Sequence, residues 1–307
     1  MSLRIIDAAE LASVLPMAAA IDALEAAFGA DELPCAPQRS HLALGGADLL
    51  MMPAAGAQGA GVKLVTVNPA NPGRGRPLIN GAYVLFEPEA FTLAGVIEGA
   101  ALTGLRTAAV SGLATRYLAR RKAARLVIFG AGAQANTHLE AMNAVRDITN
   151  LCVVSRTAGP AVRLVDRARS VGIDARTAGP DAVAEADIVC TCTTSGEPVF
   201  AGGTLNDGAH VNAVGAYRPD AREVDDDTVR RARIVVELRA AALAEAGDLV
   251  VPLEAGLIQE SSVAELSEIV KGEPAPRAED EVTLFKSVGV AFEDLVVARA
   301  AFDRLAG

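Results

Sequence analysis

The sequence predicts an α/β fold, a doubly wound parallel sheet inserted in a second, discontinuous α+β domain. Three observations point there. From Arg125 onward, short apolar runs alternate with helical segments. Before that point the pattern is mixed. The last segment, residues 282–305, reads as a short strand and an amphipathic helix that crosses back to pack on the first domain. The expected boundaries are residues 1–118 plus 285–307 for one domain and 119–284 for the inserted one.

In the first part, residues 16–28 are apolar at helical spacing. Residues 61–67 alternate, with Val62 and Leu64 on one face and Lys63 and Val65 on the other, as in a strand. Residues 68–77 are rich in Pro, Gly and Asn and predict a loop. Residues 83–86 read as a strand and 103–118 as a helix. In the inserted part, apolar runs at 126–129, 151–154, 188–192, 210–214 and 234–236 read as strands, with helices over 133–145 and 160–171. Strands that are apolar throughout and separated by helices belong to a parallel sheet covered on both faces.

Bulk properties bound the function. A chain of 307 residues suits two domains, and 51% hydrophobic with 21% charged residues is globular. The net charge of −10 opposes nucleic-acid phosphates and anionic lipid. No apolar run approaches the ~20 residues of a membrane helix. Charges fall where a signal peptide would be apolar, so the expected location is cytoplasmic. Cys35, Cys152, Cys190 and Cys192 lack zinc spacing and read as reduced thiols. His41, His138 and His210 are widely spaced, so no metal is expected.

The strongest motif is Gly130-Ala131-Gly132-Ala133-Gln134-Ala135. It follows an apolar strand, opens a helix and leads to a second strand, the context a dinucleotide fingerprint requires. Gly130 permits the tight turn. Gly132 lets backbone approach a pyrophosphate whose charge faces the helix N-terminus. Ala135 replaces a third glycine that serves helix–strand packing. The inserted domain therefore reads as a Rossmann domain. Its second strand ends in Ser155-Arg156-Thr157, where NAD-binding domains place an acid for the ribose hydroxyls. A cationic fork beside two hydroxyls favours NADP(H), with NAD(H) possible; the alternative is that Arg156 stacks on the adenine. Thr193 and the run Asn212-Ala213-Val214-Gly215 fall at carboxyl ends of predicted strands, where open α/β sheets bind ligands, although ordinary loop chemistry would read the same way.

Several segments form a joint pattern: Met52-Pro53, Lys63-Leu64-Val65-Thr66, Leu85-Phe86-Glu87-Pro88, Arg106-Thr107-Ala108-Ala109, Gly130 to Ala135, His210 to Gly215, Gly247-Asp248 and Phe285-Lys286-Ser287-Val288-Gly289. On these the chain resembles the ornithine cyclodeaminase/mu-crystallin family over almost its whole length. The resemblance implies a substrate-binding and dimerisation domain built from both chain ends, a homodimer, and a small amino- or imino-acid substrate. It places substrate cations on Arg39, Lys63 and Arg106, a substrate contact on Val288, and cofactor contacts on Arg106, Ala133, Gln134, Thr193, Asn212 to Gly215 and Ser287, with Asn80 near a further one. A carboxylate beside a nitrogen-bearing carbon needs such cations and a proton relay. Lys63, in an apolar strand, would meet a substrate carboxylate as its partner.

One departure matters. Cyclodeaminases and archaeal-type alanine dehydrogenases of the family carry an aspartate two residues after the final glycine of the Asn-Ala-Val/Ile-Gly run. Tyr217 stands there, and Asp220 follows three residues later, with Arg222-Glu223 beyond. This arrangement resembles the mu-crystallin ketimine reductases. Lys63, Tyr217, Asp220 and Asp248 remain open as proton donors, Lys63 and Asp220 being the catalytic candidates. The leading expectation is an NAD(P)H-dependent imine reductase or amino-acid dehydrogenase. A cyclodeaminase with retained NAD, and a non-catalytic nucleotide-binding protein, are the alternatives.

Overall fold

The structure is a computed structural model and describes residues 3–273 and 277–306. The chain divides into two compact units, Met1–Arg106 with Gly289–Gly307, and Thr107–Val288.

The first unit contains β1 (Arg4–Ile6), α1 (Ala8–Val14), α2 (Met17–Phe28), β2 (Ser40–Ala43), β3 (Asp48–Gly56), β4 (Gly59–Val67), β5 (Ile79–Phe86) and β6 (Leu93–Glu98). Helix α3 (Gly99–Leu118) begins in it and runs on into the second. The strands form one sheet in the order β1-β6-β5-β4-β3-β2, antiparallel except where β1 meets β6. In β4 the odd positions are buried, Lys63 and Val65 among them, while Leu64 is exposed, as the alternation predicts. Asp7 caps α1 by accepting from the Glu10 amide at 2.9 Å. Helix α2 buries Met17, Ala20, Ile21, Leu24, Ala27 and Phe28, a stripe at three- and four-residue spacing. Phe28 meets Phe292 of the C-terminal helix (Ala291–Ala306) edge to face at 5.1 Å. The C-terminal helix packs on α2 and on β3, β4 and β5.

Strand β3 escapes the sequence pattern because both its faces are apolar: Leu50, Met52 and Ala54 point inward, Leu49, Met51 and Pro53 outward. Pro53 is tolerated there because β2 pairs with β3 only as far as Met51.

The second unit alternates β7 (Arg125–Phe129), α4 (Ala133–Val145), β8 (Asn150–Val154), α5 (Ala158–Ser170), β9 (Asp174–Thr177), β10 (Ile188–Thr191) and β11 (His210–Ala213). It continues with α6 (Asp226–Arg231), β12 (Ala232–Val236), α7 (Arg239–Glu245), α8 (Gly247–Glu254), β13 (Val263–Glu265), α9 (Leu266–Lys271) and β14 (Val282–Lys286). All eight strands are parallel, in the order β13-β12-β14-β11-β10-β7-β8-β9. The chain moves outward from β7 on one side and resumes with β10 on the other. The strand order therefore reverses between β7 and β10, and the crevice at their carboxyl ends is the ligand position of doubly wound sheets. Val127, Phe129, Val189, Val211 and Leu284 are among the apolar residues buried in its core.

Candidate active site

In the first unit, three sequence-predicted cations come together with two acids that sequence reasoning missed. Lys63 lies on the inner face of β4, only 1% exposed. Its Nζ donates to both carboxylate oxygens of Asp294, at 3.0 and 2.8 Å. Arg106 donates from Nε to Asp294 Oδ1 at 3.3 Å and from Nη1 to Glu293 Oε2 at 3.1 Å. Asp294 and Glu293 are fully buried in the first turn of the C-terminal helix. Arg39 donates to the Gly289 carbonyl at 2.7 Å. Gly289 has φ +74, and a Cβ on it would lie 2.1 Å from Arg106 Nη1, so glycine is required where the guanidinium crosses the backbone. The expectation that a substrate carboxylate is the partner of Lys63 is corrected: the fold supplies Asp294.

Burial is the main force on Lys63 and pushes its pKa down to about 8; Arg106 and Arg39 push the same way and Asp294 opposes them. Tyr83, beside Lys63 on β5, is fully buried, and its hydroxyl finds no hydrogen-bond partner among the described residues. Burial, then the nearby Asp294 charge, raises its pKa. Asn80 pairs with Thr66, on the opposite face of the sheet from Lys63, and donates to the Pro77 carbonyl. The structure does not bring it to this cluster.

In the second unit, the glycine-rich turn leaves β7 at the strand-order reversal. Gly130 has φ +99, and a Cβ there would lie 2.5 Å from the Cys192 carbonyl at the end of β10. Gly132 caps α4 and has nothing within 4 Å of its Cβ position, an open cradle at a helix N-terminus that fits a pyrophosphate. Ala133 is exposed there and Gln134 half-buried. Ser155 Oγ accepts from the Thr157 amide at 3.2 Å, shaping the turn after β8. Arg156 is exposed between them.

Three buried acids tie together the carboxyl ends of these strands. Glu223 accepts from Thr191 Oγ1 at 2.8 Å, Thr193 N at 2.8 Å, Thr193 Oγ1 at 2.6 Å and Gly215 N at 2.6 Å. Asp248 Oδ1 accepts from the amides of Glu223 and Val224, while Oδ2 lies 2.9 Å from Lys286 Nζ. Glu237 accepts from Ser287 Oγ and from the Val288 amide. Lys286 also donates to the Ala216 carbonyl at 2.6 Å. Thr193 and Gly215 are thus brought together, with Val214 half-buried before Gly215. Asn212 and Ala213 are fully buried inside β11, and the Asn212 side chain bonds His210 and Thr115. Ser287 and Val288 are buried as well.

Two proton-donor candidates change. Asp248 is 0% exposed and spends its carboxylate on backbone amides and Lys286, which makes it a structural anchor. Asp220 is exposed and ion-paired with Arg218, which holds its carboxyl below the usual carboxylate range, the wrong direction for an acid at neutral pH. The signal for the missed acids was present: Glu293 and Asp294 are adjacent acids set between the apolar runs Val290-Ala291-Phe292 and Leu295-Val296-Val297, where burial demands a cationic partner. Among the described residues no group of three or more His, Cys, Asp or Glu could hold a metal ion.

Fold and site together define a two-unit α/β protein with a doubly wound unit of dinucleotide-binding type and a buried cationic cluster on the other unit. The sequence profile of the Ornithine cyclodeaminase/mu-crystallin family matches residues 3–307, and the chain belongs to that family. It is 41% identical over 263 residues to a Delta(1)-pyrroline-2-carboxylate reductase of Bacillus cereus, covering 83% of this chain and 81% of that one. The structure of Thermococcus litoralis Delta(1)-pyrroline-2-carboxylate reductase in complex with NADH and L-proline matches with TM-score 0.93 and 33% identity, over 98% and 97% of the two chains. An archaeal alanine dehydrogenase dimer with bound NAD matches with TM-score 0.93 and 31% identity, over 100% and 97%.

Proposed function

We propose that the chain is an NAD(P)H-dependent reductase of small cyclic imino acids, with Δ1-pyrroline-2-carboxylate the first substrate to try, and that it runs in reverse as an amino-acid dehydrogenase. The observation that carries the reading is the gathering of Arg39, Lys63 and Arg106, three cations of the kind that an imino-acid carboxylate and a proton relay call for, around Asp294 and Gly289 in one buried cluster. The reductase relatives support it.

When bound, the nicotinamide supplies the hydride. The chain's own residues do the rest. Arg39 and Arg106 hold the carboxylate. Lys63 gives a proton to the ring nitrogen as the carbon–nitrogen double bond becomes a single bond, and recovers it from water. The open cradle at Gly132, the turn of Ser155 to Thr157 and the Glu223-tied loops at Thr193 and Gly215 hold the dinucleotide, and Arg156 favours NADP(H).

The reading includes a homodimer. On the face of the first sheet turned away from Lys63, Pro53, Val62, Val84, Val96 and Ile5 form a row across five strands, with Leu64 and Leu42 exposed nearby. A second copy covers such a face. It also includes a cytoplasmic location, in keeping with four free thiols. Among the described residues no single helix is long and apolar enough to cross a membrane.

The test follows loss of reduced cofactor with Δ1-pyrroline-2-carboxylate, a six-membered cyclic ketimine, and pyruvate with ammonia. Turnover with at least one cyclic imine is the expected result. Release of ammonia from ornithine without net cofactor consumption would replace the reading by a cyclodeaminase, and binding of cofactor with no turnover by a storage role.

A further inference from the structure

Asp294 is joined to both basic groups of the buried cluster. One oxygen is shared between Lys63 Nζ at 3.0 Å and Arg106 Nε at 3.3 Å, and the other takes Lys63 at 2.8 Å. Among the described residues no other carboxylate bonds Lys63. Among the described residues the groups facing Lys63 are Tyr83 from β5, Arg106 from α3, Arg39 from the segment before β2 and Asp294 from the C-terminal helix, with Glu293 of that helix held on Arg106. The two arginines and the loss of water both disfavour a charged lysine, and Asp294 is what opposes them. An ammonium has three N–H groups. Two acceptor oxygens leave at least one N–H for a substrate atom.

We propose that Asp294 is a positioning residue, whose carboxylate fixes the Lys63 ammonium and the Arg106 guanidinium in one arrangement and keeps Lys63 available as the ammonium that gives up its proton. The proposal rests on the imine-reductase reading for its catalytic consequence, but its physical core concerns Lys63 alone and is measured without substrate. The chain has four lysines, Lys63, Lys122, Lys271 and Lys286, so labelled lysine signals are few enough to follow by NMR, and Lys63→Met assigns the one of interest.

In the unaltered protein, Lys63 is expected to titrate near about 8. In Asp294→Asn, which keeps the shape and removes the charge, its midpoint is expected to fall by about one pH unit or more, the effect of losing an opposite charge in direct contact. The alkaline limb of the kcat/KM profile with a cyclic imine should move down with it. A Lys63 midpoint and a limb that coincide with those of the unaltered protein would overturn the proposal. If Asp294→Asn fails to fold, the double variant Lys63→Met/Asp294→Asn decides. Recovery of folding means that the defect was the unpaired lysine and supports the pairing; continued failure means that the carboxylate serves something else and overturns it. A Lys63 midpoint that moves in Asp294→Asn while the unaltered protein reduces no imine would sink the functional reading and leave the pairing intact.

Discussion

The carboxylate of Glu223 occupies space that a side chain on Gly215 would need: a Cβ on Gly215 would lie 2.6 Å from Glu223 Oε1 and 2.1 Å from the Thr193 carbonyl. The same carboxylate accepts from the Gly215 amide. One buried acid therefore sets the ends of β10 and β11 against each other at the crevice where the strand order reverses. Gly215→Ala must displace either Glu223 or the Thr193 backbone. Its dissociation constant for reduced cofactor, read by nicotinamide fluorescence, is expected to rise about tenfold or more, equivalent to ~1.4 kcal/mol. Glu223→Gln points an NH2 group at existing donors and should weaken binding in the same direction. Affinity unchanged in both variants would show that these loops do not hold the dinucleotide.

Cofactor choice is predicted to turn on Arg156. It is exposed after β8, between Ser155 and Thr157, where a ribose-binding acid is absent. NADPH is expected to bind about tenfold or more tightly than NADH, since a charge-assisted contact contributes ~1.5–3 kcal/mol. Arg156→Asp should reverse the order. Titrating both cofactors against both proteins checks it; equal affinities in the unaltered protein would mean that Arg156 only stacks on the base.

The elements most legible in the sequence were those with local signals. The run from β7 through the glycine turn into α4 announces itself by a continuous apolar stretch, two glycines and a helical period, and the structure follows it closely. Lys63 was legible as a lone lysine in an alternating strand. Its partner was not, because Asp294 lies 231 residues away in sequence and only the packing of the C-terminal helix on β4 brings the two together. Asp248 shows the converse. The sequence left it open as a proton donor, whereas full burial, two backbone amides on one oxygen and Lys286 beside the other turn it into an anchor. Strand β3 was missed because its two faces are equally apolar, so period two leaves no trace.

The outward face of the first sheet gives a test of assembly. Leu64 is 38% exposed and Ile5 65%, on a face where Met51, Val62, Val84 and Val96 are half-buried neighbours. Leu64→Lys places a charge in the middle of this row and leaves the inner face untouched. Sedimentation should show a dimer for the unaltered protein and a shift toward monomer for Leu64→Lys at the same concentration. A monomer in both cases would mean that the face is covered by something other than a second copy.

Two buried histidines give the second unit a pH-dependent stability. His138 and His210 are both 0% exposed. His138 lies 2.8 Å from the Gln134 carbonyl and 3.0 Å from Ser111 Oγ; His210 lies 2.9 Å from Thr283 Oγ1 and 3.2 Å from Asn212 Oδ1. Burial lowers their pKa values from 6.5 to about 4 and about 3, against smaller opposing hydrogen bonds. The unfolded chain protonates near 6.5 and the folded one does not, so folding is favoured fully above that pH. The stabilisation is lost as pH falls from 6.5 toward the folded values. By pH 5 each histidine costs about 2 kcal/mol, and together they should lower the Tm by on the order of ten degrees relative to pH 7.5. Most carboxylates are still ionised there, so they contribute little to the slope. His138→Gln with His210→Gln removes both titrating groups. The double variant should start less stable at pH 7.5, because neither amide reproduces the imidazole packing, yet its Tm should change far less between pH 7.5 and pH 5. An equally steep decline in that variant would place the acid sensitivity on other groups.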